Sequence, residues 1–98
     1  MNIEKIQDRD KLAIRLDGRL DTVTAPQLEE SLSDCIDNSK EVVFDLSKLE
    51  YISSAGLRIL LSVQKKMNDH GTMLVKNTQD SVMEIFEVTG FVDILNIQ

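Results

Sequence analysis

Tyr51-Ile52-Ser53-Ser54-Ala55-Gly56-Leu57-Arg58 is the stretch whose reading decides the fold. Just upstream, Glu41-Val42-Val43-Phe44-Asp45-Leu46 is dense in β-branched and aromatic residues and hardly alternates, the pattern of a central strand covered on both faces. Ser47-Lys48-Leu49-Glu50 reads as a short connection out of that strand. Downstream, a helix runs from about Ala55 to Asp69. Leu57, Leu60, Leu61 and Gln64 mark one row, Ile59 and Val63 widen the apolar face, and Gly71 is a C′ residue. A buried strand thus ends and a long helix begins around two serines, where the first helical amides lack intrahelical partners.

Toward the N-terminus, Ile3-Glu4-Lys5-Ile6 is a weak strand and Asp8-Arg9-Asp10 a polar turn. Lys11 to Asp17 alternates, with Leu12, Ile14 and Leu16 on one face, so the two strands form an antiparallel hairpin. Gly18-Arg19-Leu20-Asp21-Thr22 then leaves as a loop. Thr24-Ala25-Pro26-Gln27 starts a helix, with Thr24 as cap and Gln27 completing a capping box. Leu28, Leu32, Cys35 and Ile36 give it one apolar stripe, and Asp37 to Lys40 ends it.

Toward the C-terminus, Thr72 to Lys76 is a strand. Asn77 or Thr78 caps a helix that turns Val82, Met83, Ile85 and Phe86 inward, and Gly90 ends it. Phe91 to Ile97 packs back, with a short strand around Ile94 to Ile97. The expected class is α/β: a mixed four- to five-stranded sheet with an N-terminal antiparallel hairpin and three or more helices, its parallel pairs joined by right-handed crossovers.

At 98 residues the chain reads as one domain over residues 1–98. No apolar run is long enough to span a bilayer, and no basic end leads into an apolar segment, so a cytoplasmic protein without a membrane partner is expected. One cysteine excludes an internal disulfide framework, and one histidine excludes the usual His-rich metal sites; neither metal nor cofactor is expected. The net charge of −6, without a basic stripe and with few aromatics, argues against nucleic acid.

In such folds, binding residues gather beyond the carboxyl ends of the parallel strands. Three loops leave those ends: Gly18–Thr22, Leu49–Ser54 and Asn77–Gln79. Asp21 therefore shares an edge with Ser53 and Ser54, with Lys76, Asn77 and Thr78 beside them. His70 falls at the far end of its helix, so no base activates the serines and no catalytic residue is expected. Asp17 and Asp21 are most simply solvated or capping, Cys35 is a small core residue, and no glycine-rich phosphate loop exists. Capping is the ordinary role of a serine at this position, worth about 1 kcal/mol. One serine suffices for that. A phosphate on the other would add about −1.5 to −2 charge beside free amides, leaving the fold intact and disrupting a partner surface formed with Leu20, Ala55 and Leu57.

Four segments together resemble the STAS domain of small free-standing bacterial anti-sigma factor antagonists: Gly18-Arg19-Leu20-Asp21, Asp45-Leu46, Tyr51 to Leu57, and Thr89-Gly90-Phe91. The family loop usually reads Asp-Ser-Ser/Thr-Gly-Leu, with its first serine phosphorylated. Anchoring on Gly56 and Leu57 places that residue at Ser54, with Ser53 as the alternative acceptor. Ser53 stands where the family often has aspartate, and Ala55 where it has Ser or Thr. Asp21 matches a family aspartate near the loop. The resemblance implies partner switching by a non-enzyme. The unphosphorylated protein binds an anti-sigma factor that is also a GHKL-type serine kinase, freeing a sigma factor. Phosphorylation at Ser54 ends that binding, and a PP2C-type phosphatase resets it. Asp21, Leu20, Ser53, Ala55, Gly56 and Leu57 are the expected partner-binding residues. The alternative is a constitutive interaction module of another signalling complex, with the serine only a cap.

Overall fold

The computed structural model describes residues 1–98. The chain order is β1 (Asn2–Asp8), β2 (Lys11–Leu20), α1 (Ala25–Leu32), β3 (Glu41–Ile52), α2 (Ser54–His70), β4 (Thr72–Lys76) and α3 (Asp80–Thr89), followed by a 3₁₀ turn at Phe91–Asp93. The four strands lie in the order β1-β2-β3-β4. β1 and β2 are antiparallel from Asn2↔Asp17 to Asp8↔Lys11, and Arg9 takes φ 57° in the tight turn between them. β2/β3 and β3/β4 are parallel. The expected mixed sheet and its hairpin are present.

Each parallel crossover steps the same way across the sheet. Right-handed connections then place their helices on the same face. The residues facing them are Leu12, Ile14 and Leu16, Val42, Phe44 and Leu46, and Met73 and Val75, none more than 2 % exposed. They form one core with Leu28 and Leu32 of α1, Leu57, Leu60, Val63 and Met67 of α2, and Val82 and Phe86 of α3. The other face carries no helix, so the expectation that β3 is covered on both sides is corrected. Across that face run an apolar row, Ile6-Ala13-Val43-Leu74, and a row of alternating charge, Glu4-Arg15-Asp45-Lys76. Val43 is nonetheless only 9 % exposed, and it shares a shallow depression with Ala13, Arg15 and Lys76.

Two segments read as loops are strand. β2 continues through Gly18 to Leu20 and β3 continues through Ser47 to Ile52, pairing Asp17↔Lys48, Gly18↔Leu49, Arg19↔Tyr51 and Leu20↔Ile52. The register slips twice along this extension, and Gly18 supplies φ 115° at one slip. The expected last strand shrinks to a parallel bridge, Val75↔Ile97, held by Val75 N–H to Asn96 O (2.9 Å) and Gln98 N–H to Val75 O (2.8 Å). α1 ends at Leu32, and Ile36 reaches the core from the turns that follow. Gly71 is extended at φ −175°, not left-handed; it is needed because a Cβ there would strike the Lys40 carbonyl.

Candidate functional site

The extended β2 and β3 end together. Leu20 and Ile52 form the last pair, and the Ser53 N–H donates to the Leu20 carbonyl at 2.8 Å. Asp21 and Ser53 are thus the next residues on adjacent strands. α2 starts directly above them. A Cβ on Gly56 would lie 2.6 Å from Leu20 Cγ and 2.8 Å from Ile52 Cγ1, so only glycine lets the first turn of α2 sit this close to the strand ends. On the outer side, the Arg19 guanidinium stacks 4.4 Å from the centre of the Tyr51 ring, its cross-strand partner.

Asp21 is fixed by the turn that follows it. Its Oδ1 accepts from the Val23 N–H at 3.0 Å and the Thr24 N–H at 3.1 Å. The Thr24 hydroxyl donates to the Arg19 carbonyl at 2.8 Å and accepts from the Asp21 N–H at 2.9 Å. The expected capping box is therefore absent: Thr24 makes no side-chain cap bond, Asp21 satisfies the amides before α1, and the Gln27 amide donates to Met1 O at 3.2 Å. The Thr24 N–H bond, foremost, holds the Asp21 carboxyl below the usual carboxylate range. Partial burial opposes it, and the Val23 N–H, the Thr24 hydroxyl and the Arg19 charge add to it. A carboxylate held ionised by three donors to its Oδ1 is poorly suited to carry protons.

The two serines differ sharply. Ser53 is the N-cap residue, extended at φ −97° and ψ 177°, yet its hydroxyl makes no cap bond. Its Oγ is buried without a partner. Ser54 is the first helical residue and is exposed. Neither serine acts as the expected side-chain cap. Ala55 is half-buried and lines a shallow cleft of about 250 Å³ with Thr22, Ala25, Pro26, Glu29, Arg58 and Ile59. Leu20 is 0 % and Leu57 6 % exposed, so with Gly56 they frame this edge from beneath; the outward surface consists of Thr22, Pro26, Ser54, Ala55 and Arg58. Arg58 was not among the residues expected here. Its signal was its place four residues after Ser54, the spacing of neighbours on a helix face.

The third loop lies elsewhere. The Asn77 amide donates to Asp45 Oδ1 (3.3 Å), the Gln79 amide to Ser47 O (2.7 Å) and the Ser81 hydroxyl to Glu50 O (3.0 Å). It runs alongside β3 upstream of the serines because β4 has 5 residues and β3 has 12. The expected convergence of three loops is corrected to two. Neither Asn77 nor Thr78 caps α3: Gln79 is the N-cap residue, without a side-chain cap bond. His70 ends α2, its Nε2 3.3 Å from the Ile36 carbonyl, at the opposite edge.

The model of the STAS domain matches residues 2–98. This chain belongs to the STAS domain family. Among its STAS relatives is a Bordetella bronchiseptica protein named as an anti-sigma factor antagonist, BtrV, 38 % identical over 84 % of this chain and 72 % of its own length. The anti-sigma-B factor antagonist of Staphylococcus aureus is 27 % identical over 99 % of this chain and 92 % of its own. The STAS fold is shared with the anti-sigma factor antagonist SpoIIAA in its unphosphorylated form, at TM-score 0.85 and 19 % identity over 99 % of this chain and 88 % of that one. The phosphorylated form of the Bacillus SpoIIAA gives TM-score 0.77 at 18 % identity, covering 99 % and 91 %.

Proposed function

We propose that this protein is an anti-sigma factor antagonist that works by partner switching in the cytoplasm. In the unphosphorylated state the edge around Ser54 binds an anti-sigma factor, itself a GHKL-type serine kinase, and a sigma factor is released. The kinase phosphorylates Ser54 and loses its grip; a PP2C-type phosphatase restores the binding form. The chain is the binder and the substrate, and catalysis belongs to its partners. The observation that carries this reading is the contrast between the serines: the Ser54 hydroxyl is presented at the start of a 17-residue helix, whereas the Ser53 hydroxyl is shut in. A phosphate on Ser54 meets the positive end of that helix, so the fold tolerates it. The relatives named as antagonists, and the existence of SpoIIAA in both phosphorylation states, support the same cycle.

Incubation with the cognate kinase and ATP should add one phosphate, located by mass spectrometry at Ser54, and Ser54→Ala should abolish it. Undiminished labelling of Ser54→Ala would refute the assignment. A protein never phosphorylated in cells under any growth condition would point instead to a constitutive interaction module.

A further inference from the structure

We infer that Arg58 is the intramolecular receptor for the phosphate on Ser54, an assignment that rests on the function proposed above. Residues four apart on a helix are neighbours, with Cβ atoms about 5–6 Å apart. Helical side chains also lean toward the N-terminus, which puts the turn that carries Ser54 within reach of the Arg58 side chain. It is exposed. The three ion pairs of the molecule are Lys11–Glu41, Arg15–Glu4 and Arg15–Asp45, which leaves the Arg58 guanidinium without a carboxylate in a chain of net charge −6.

Its surroundings concentrate the effect. Arg58, Glu29 and Ile59 lie where the cleft beneath Ala55 meets a groove of about 400 Å³ between α1 and α2, floored by Leu32, Ile36 and Val63. The other charges facing this junction are Glu29 from α1 and Lys66 further along α2. A phosphoserine supplies three acceptor oxygens, and the planar guanidinium fork binds two at once. Anion before cation at this spacing is the favourable order on a helix. Modification therefore changes two charges at this end of α2: it installs the phosphate at Ser54, outside the groove, and draws the Arg58 cation away from the groove rim, where a docking partner would otherwise meet it. The switch becomes stronger than the phosphate alone would make it.

The test uses the full chain with phosphoserine genetically encoded at position 54, so that no kinase is needed. ³¹P NMR titration follows the phosphate in this protein and in its Arg58→Gln and Arg58→Lys variants, with circular dichroism showing that all three are folded. Arg58→Gln should raise the proton affinity of the phosphate about twofold, a shift of about 0.3 pH units, and Arg58→Lys should fall between the two. Coincident titration curves for the native and Arg58→Gln chains would overturn the role of Arg58 and leave the phosphorylation site standing. Kinase labelling at a residue other than Ser54 would remove the proposed function and leave the titration result intact.

Discussion

Asp21 and Asp45 are both held ionised by donors that exist only in the folded chain. For Asp45, partial burial pulls the carboxyl upward, but the Ser47 N–H at 3.0 Å, the Ser47 hydroxyl, the Asn77 amide and the Arg15 guanidinium together take it below the usual range. For Asp21 the Thr24 N–H leads. Both therefore bind protons less readily folded than unfolded. Their contribution to stability is complete above the ordinary value of 3.8 and drains away as the pH falls below it, when the unfolded chain takes up protons first. The urea midpoint should fall between about pH 4.5 and pH 2.5. An Asp21→Asn/Asp45→Asn double variant should start from a lower midpoint at neutral pH and fall less steeply. Both aspartates were visible in the sequence, but their donors were not. Asp45 meets Asn77 and Arg15 only through the β2-β3-β4 register, and Thr24 is drawn from its helix to the Arg19 carbonyl.

The elements most legible from sequence were those with an unbroken period. Leu12, Ile14 and Leu16 alternate, and β2 was found; the row of Leu57, Leu60 and Gln64 recurs at helical spacing, and α2 was found. The extension of β3 was not, because Leu46, Leu49 and Ile52 are buried at every third position, a rhythm imposed by the register slips. That extension is a working part of the core. Leu49 is 0 % exposed, so Leu49→Ala should cost about 2–5 kcal/mol in urea unfolding, although its neighbours Lys48 and Glu50 are exposed. A cost below that of a typical surface change would mean that the extension frays in solution. The apolar face of α2 is legible from its period, whereas the outward row that begins at Ser54 and includes Arg58 has no apolar period to mark it.

Across the whole molecule, helices shield one face of the sheet, and the candidate site stands at the end of its two longest strands. The principal dimensions are 32 × 26 × 20 Å, so a partner that covers the Ser54 edge touches much of one end. Charge at that edge should govern binding without touching the core. Ser54→Asp is expected to keep its melting temperature within about 4 °C of the parent, the shift that about 1 kcal/mol produces in a domain of this size. On the proposed function, the same variant should fail to retain an anti-sigma factor kinase in a pull-down. A variant that melts much lower would show that the position is structural.

The last rung of the β2–β3 ladder lies directly beneath the serines. Leu20 and Ile52 are each no more than 1 % exposed, with Gly56 pressed onto them from above. Amides in such a place should exchange with deuterium only when the whole chain opens, on the slowest timescale the molecule has. On the proposed function, a phosphate at Ser54 would stand on that footing with no lever into the core. Its effect would reach a partner as an electric field sensed on encounter, so exchange profiles before and after modification should superimpose everywhere except the first two turns of α2.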